Sequence, residues 1–213
     1  MSPDGQYVVV ASEISNSVAF VSTATRKKVI SVPTKGKNPE HAEFSPDGKW
    51  LYVSAEEANS LDIVDVACRV EVNAVKLGPR PRCIGFSADG KKAYVAAELA
   101  SVVYVIDVAS QTVNAKFKAG TFSNGVAILP DRKRVFISNG KDATVSAIDT
   151  ATNQSVATIP VGKRPWNMAI TPDGKKLYVA NGRSNSVSLI DTDSNQVLHE
   201  IAVGELPWGV VFR

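Results

Sequence analysis

The sequence predicts an all-β fold, a five-bladed β-propeller of four-stranded antiparallel blades, closed by a C-terminal strand that completes the first blade. Three observations predict it. One turn motif returns at nearly constant spacing, the segments between turns alternate apolar and polar residues with period two, and the last segment matches the strand that the first repeat lacks.

The turn Ser2-Pro3-Asp4-Gly5 returns as Ser45-Pro46-Asp47-Gly48, Ser87-Ala88-Asp89-Gly90, Leu129-Pro130-Asp131-Arg132 and Thr171-Pro172-Asp173-Gly174. Its second residues, at 3, 46, 88, 130 and 172, are spaced by 43, 42, 42 and 42. Proline presets φ and glycine accepts positive φ without steric cost, so the motif suits a tight hairpin. In the fourth repeat the strands that follow run from Arg134 to Ser138, Thr144 to Asp149, Ser155 to Val161 and Trp166 to Ile170. Each is short and rich in β-branched or aromatic residues, and each is bounded by turn residues. An aspartate closes the second strand at Asp65, Asp107, Asp149 and Asp191, with Ser22 in the first repeat. Once per repeat at a turn, it reads as a cap accepting backbone N–H groups rather than as a metal ligand or acid–base group.

Four antiparallel strands repeated at this period are the pattern of radially set blades. The chain begins with an outer segment, Gln6 to Ala11, and finishes with Trp208 to Arg213, which matches the innermost strand elsewhere. Pairing these two would seal the ring and remove its exposed edges. A single domain, 1–213, without linkers is expected.

The chain has 213 residues, 44% hydrophobic and 21% charged, enough for a sizeable core and against disorder. Its 24 basic and 21 acidic residues nearly balance, so no nucleic-acid partner is expected. No segment reaches the ~20 apolar residues of a spanning helix, so no membrane insertion is expected. The N-terminus opens on a turn instead of a basic-then-apolar leader, which implies a cytosolic chain or one whose leader has been removed. Cys68 and Cys83 lack the spacing of a zinc or haem site and read as free thiols in a packed sheet. No cofactor and no metal are expected.

Tyr178-Val179-Ala180-Asn181, followed by Ser184-Asn185-Ser186-Val187-Ser188-Leu189-Ile190-Asp191, resembles the YVTN β-propeller repeat, and all five repeats follow it. A finer resemblance, to propeller proteins associated with pyrroloquinoline-quinone-dependent alcohol catabolism, rests on Arg80-Pro81-Arg82, Arg164-Pro165-Trp166 and Leu206-Pro207-Trp208-Gly209-Val210-Val211. That resemblance implies a periplasmic or extracellular setting and a link to quinoprotein alcohol oxidation. Those relatives carry seven repeats, which implies a natural short form or a truncation here.

In such a ring the loops entering the inner strands gather with the middle-strand loops at the channel mouth. Alignment on Gly36, Gly78, Gly120, Gly162 and Gly204 makes Glu40, Arg82, Asn124, Trp166 and Trp208 equivalent, followed by His41, Cys83, Gly125, Asn167 and Gly209. Packing explains a residue that repeats, not one that changes charge from blade to blade. Glu40, His41, Arg82, Asn124, Trp166, Asn167 and Trp208 are therefore the candidate ligand-binding residues, with Arg82 pairing to a carboxylate and a tryptophan stacking. The structural alternative is that the tryptophans wedge between blades and Glu40 pairs with Arg82. The middle-strand loops carry Glu13, Glu56, Glu57 and Glu98 in the first three repeats but Lys141 and Arg183 in the last two, an acidic and a basic side. His199 falls on an outer strand, so His41 has no second histidine.

With no catalytic triad, phosphate loop or paired-ligand motif, the leading expectation is a non-enzymatic binding or scaffold propeller with a protein or small-molecule partner. A propeller lactonase or hydrolase using Glu40 and His41 beside Arg82, and an adhesion module from a longer chain, are the alternatives.

Overall fold

The computed structural model describes residues 1–131 and 133–212. Every regular element among them is a strand, and no helix is long and apolar enough to cross a membrane. The nineteen strands form five antiparallel sheets. The first holds β1 (Tyr7–Ser12), β2 (Ser17–Ser22) and β3 (Lys28–Pro33); the second β4 (Pro39–Phe44), β5 (Trp50–Ala55), β6 (Ser60–Asp65) and β7 (Val70–Lys76). The third holds β8 (Pro81–Phe86), β9 (Lys92–Ala97), β10 (Val102–Asp107) and β11 (Thr112–Phe117); the fourth β12 (Ser123–Ile128), β13 (Arg134–Asn139), β14 (Thr144–Asp149) and β15 (Ser155–Pro160). The fifth holds β16 (Pro165–Ile170), β17 (Lys176–Asn181), β18 (Ser186–Asp191) and β19 (Gln196–Ala202). Strands pair in sequence order, and this is the blade architecture of a β-propeller.

The repeat turns form as their residues dictate. Ser45 Oγ donates to Asp47 Oδ1 at 2.6 Å and accepts the Trp50 N–H at 2.9 Å, while Gly48 takes φ +71°. Asp65, Asp107, Asp149 and Asp191 each accept a backbone N–H two or three residues on, at 2.7 to 3.0 Å. Ser22 Oγ does the same for Thr25, at 3.3 Å. Arg132, the glycine-position residue of the fourth turn, lies outside the described residues, as does Arg213.

Two compact units divide the chain, Met1–Val95 with Tyr104–Ala115 and Ala96–Val103 with Lys116–Arg213. In the first, Val18, Phe20, Phe44, Leu51, Val53 and Val64 form one apolar cluster and Tyr52, Leu61, Ile63, Ile84, Val95 and Ile106 another. In the second, Phe136, Val145, Ala147, Leu177, Val179 and Ile190 pack together. Middle strands such as β5 and β6 are almost wholly buried, whereas β7 alternates between half-buried and exposed residues. A blade's outer strand has solvent on one side, so its period-two pattern shows most clearly.

The expected closing strand is not formed. The first sheet ends at β1, and residues 203–212 carry no strand. The C-terminal segment packs instead on the fifth sheet: the Asn167 N–H donates to the Trp208 carbonyl at 3.3 Å, and the Phe212 ring lies 5.2 Å from that of Tyr178. It sits against β16 much as β16 sits against β12, where Ser138 Oγ reaches the Trp166 carbonyl at 2.6 Å and Gly125 abuts Asn167. The segment finds its aromatic and hydrogen-bond partners on the preceding sheet, where a residue of its repeat position normally packs.

One further local feature positions the site. Three non-glycine loop residues per repeat adopt left-handed φ, and two of the three sets position the site: Asn16, Asn59, Ser101, Ala143 and Asn185 in the middle hairpins, and Asn38, Arg80, Phe122, Arg164 and Leu206 before the inner strands. In four of the five repeats the hairpin side chain accepts the N–H of the entering loop, Asn16 from Asn38 at 2.9 Å, Asn59 from Arg80 at 3.1 Å, Ser101 from Phe122 at 3.1 Å and Asn185 from Leu206 at 3.0 Å. Asparagine tolerates left-handed φ, which is why it recurs there.

Candidate functional site

In the first unit the expected pair forms within a larger ionic cluster. Arg82, with its side chain only 6% exposed, places Nη2 at 3.1 Å from Glu40 Oε1 and Nη1 at 2.8 Å from Glu56 Oε2. Arg80, 40% exposed, joins the same Glu56 carboxylate through Nε. Glu13 is close enough to Glu40 for the two carboxyls to hydrogen-bond when one is protonated. Burial holds the Glu40 carboxyl above its ordinary range; Arg82 opposes this, while Glu56 and Glu13 reinforce it. Such a pair of carboxyls, one with a raised pKa, is a proton donor and acceptor in one place. Beside it opens a concavity of about 390 Å³ lined by Glu13, Ile14, Asn16, Lys37, Asn38 and Glu57.

His41 does not join this cluster. Its Nδ1 accepts the Ile84 N–H at 3.3 Å, and burial pushes its pKa down to about 4, so the ring is neutral with its acceptor nitrogen engaged. Two residues along β4, burial pushes Glu43 up to about 7. Sequence reasoning passed over Glu43, although a signal was present: equivalent positions elsewhere hold Gly85, Ala127, Ala169 and Val211.

In the second unit Trp166 and Trp208 meet with ring centroids 4.6 Å apart at 43°. Trp166 lies over Gly182, where any side chain would collide with its ring, and Trp208 remains 56% exposed. Asn167 Oδ1 accepts the Met168 N–H at 2.8 Å, and Asn124 is buried. The indoles thus pack on each other and on a glycine. The basic hairpin residues Lys141 and Arg183 line a concavity of about 380 Å³ with Phe122, Gly140, Ala143, Lys163 and Arg164. The charge pattern of the hairpins singled out Lys141 and Arg183 but not Phe122 or Arg164, although both stand two residues after an aligned glycine; the structure adds that both take left-handed φ.

Of the seven candidate residues, Glu40, His41 and Arg82 belong to the first unit and Asn124, Trp166, Asn167 and Trp208 to the second. Glu40 and Arg82 meet, as do Trp166 and Trp208; His41 is drawn away by the third sheet's backbone. Of the cysteines, both free, Cys83 is buried but Cys68 is exposed in the turn after β6, not packed within a sheet.

A family model described as "Lactonase, 7-bladed beta-propeller" matches residues 1–70 and 66–204. Among solved structures, a chain of Kuenenia stuttgartiensis hydrazine synthase superposes with a TM-score of 0.74 at 21% identity, covering 98% of this chain and 87% of that one. A functionally unknown protein from Desulfotomaculum acetoxidans DSM 771 superposes at 0.87 with 18% identity, covering 98% and 69%. At such identities the likeness is one of fold. No curated protein matches the sequence. The family match corrects the expectation of a non-enzymatic module, because the matching family is enzyme-related. The repeat pattern reports packing and is blind to chemistry, so the absence of a familiar catalytic motif carried no weight against it. The chain belongs to the lactonase seven-bladed β-propeller family.

Proposed function

We propose that this protein hydrolyses small lactones or related esters at the Glu13–Glu40 carboxyl pair of its first unit. Family membership supports the reaction class, and one observation carries the site: a half-buried Glu40 carboxyl with a raised pKa, within hydrogen-bonding reach of Glu13 and held 3.1 Å from Arg82. Arg82 is locked between Glu40 and Glu56 and acts as a positioning residue. The carboxyl pair takes a proton from water as its oxygen attacks the lactone carbonyl. Arg80 presents a guanidinium at the same rim for the tetrahedral oxyanion. The ring C–O bond then breaks, and the proton returns to the leaving alkoxide. His41 takes no part, being neutral and engaged by Ile84.

The test is hydrolysis of a panel of γ- and δ-lactones and an aryl ester, followed by acid release in the wild type and in Glu40→Gln. Expected are a wild-type rate above background that rises as pH passes upward through the raised carboxyl pKa, and a fall of roughly 100-fold in the variant. A wild-type rate equal to background on every substrate, or a variant as active as wild type, overturns the proposal.

A further inference from the structure

The concavities at Asn16/Asn38 and at Ala143/Arg164 are built from the same loop positions of different repeats, so each serves as an internal control for the other. The Ala143 hairpin keeps its backbone geometry, with φ +54° and its carbonyl accepting the Val161 N–H at 2.9 Å. Asn16 does the same with φ +45° and the Thr34 N–H at 2.9 Å. The side chain is what differs. The N–H groups of Asn38, Arg80, Phe122 and Leu206 each meet a hairpin oxygen. Ala143, at the equivalent hairpin position, carries no side-chain acceptor, and among the described residues the Arg164 N–H makes no hydrogen bond. Alanine is the poorer choice for left-handed φ, so backbone preference does not account for it.

The charge of the surroundings changes with it. The concavity at Ala143 is lined by Lys141, Lys163, Arg164 and Arg183, and among the described residues no ion pair is made by Lys141, Lys163 or Arg183. Arg164 is held by the buried Glu98, and Gly140 leaves room for its side chain, since a Cβ there would crowd Nη1 at 2.7 Å. The Phe122 ring fixes two of the cations, with Lys141 Nζ at 5.7 Å and Arg164 Cζ at 5.5 Å from its centroid. Asp142, the other nearby acid, is turned to the Thr121 N–H at 2.6 Å. Four cations thus surround a concavity in which the oxygen found in the other repeats is missing.

We propose that this concavity binds a multiply charged oxyanion, one oxygen of which takes the place of the absent hairpin side-chain oxygen and accepts the Arg164 N–H. Lys141, Lys163 and Arg183 neutralise the remaining charge through charge-assisted hydrogen bonds, while the Arg164 side chain stays paired with Glu98. A phosphate dianion and a polycarboxylate share this chemistry. The site is independent of the carboxyl pair proposed for hydrolysis and requires no activity at it.

Thermal unfolding of the full chain is measured with inorganic phosphate, citrate, acetate or chloride at matched ionic strength, and affinities by calorimetry. A saturable rise in Tm is expected with phosphate, citrate or both but not with chloride. A rise with phosphate alone identifies a phosphate site, and one with citrate alone a polycarboxylate site. Ala143→Asn restores the cap found elsewhere; it is expected to raise Tm without anion and to abolish the anion-dependent rise. Ala143→Gly keeps the concavity open and retains binding, while Lys141→Ala and Arg183→Ala each weaken it tenfold or more. The absence of a saturable rise with either polyanion, or a rise that Ala143→Asn leaves unchanged, overturns the proposal.

Discussion

Glu43 and His41 lie on the same face of β4 and oppose each other in their effect on stability. Burial raises Glu43 from 4.5 to about 7 and lowers His41 from 6.5 to about 4, while the nearby Met1 amino group lowers both slightly. A carboxyl raised on folding adds stability that is fully present below 4.5 and is lost as pH rises through 7. An imidazole lowered on folding adds stability that is present above 6.5 and is lost as pH falls through 4. Each displacement is worth about 3 kcal/mol at its limit. Between pH 4.5 and 6.5 the two slopes cancel, so the wild type should show little net dependence from this pair. Glu43→Gln removes one partner. Its stability should climb by about 3 kcal/mol from pH 4 to 6.5, and at pH 8 it should exceed the wild type by a similar amount. Urea unfolding at a series of pH values tests this, with Trp166 and Trp208 replaced by Phe so that Trp50 alone reports on the first unit. Parallel pH curves for wild type and Glu43→Gln would refute the burial argument.

Two packing predictions accompany it. Gly36 donates its N–H to the buried Asp62 carboxylate at 2.9 Å, and an added Cβ would collide with Asp62 and Ala55. Gly36→Ala should therefore lower stability by about 1–3 kcal/mol in the same Trp50 assay. Phe136 is fully buried in the second unit's cluster, and Phe136→Ala should cost about 3–5 kcal/mol. The unfolding of that unit, followed by Trp166 fluorescence, would show it as a lowered urea midpoint, and an unchanged midpoint would contradict the packing described.

The strands, the turn chemistry and the Glu40–Arg82 pair were legible because each depends on residues at fixed spacing. Asp149 caps its turn because a carboxylate three residues before an N–H reaches it in that geometry, whatever else the chain does. The acidic and basic division of the hairpin loops was legible too, since Glu13 and Arg183 occupy related hairpin positions. The repeat alignment makes His41 a candidate site residue, since its sequence position is that of Asn167. Nothing in the sequence showed that the Ile84 N–H would take its nitrogen. The raised Glu43 carboxyl was overlooked because an acid between Ala42 and Phe44 fits the same alternation as an exposed polar residue.

The sequence by itself determined the blade unit, its period and the caps that hold each hairpin, because these interactions close within a single repeat and follow from backbone geometry. Only the tertiary structure decided where the C-terminal segment packs, which carboxyls lie side by side and that each hairpin oxygen reaches the N–H of the entering loop. Those outcomes depend on burial and on contacts between strands more than twenty residues apart, and the same local pattern is compatible with several such arrangements. Desolvation in particular is a property of everything that surrounds a group, so the charge state of Glu40, His41 and Glu43 was set by neighbours that a repeat alignment does not weigh.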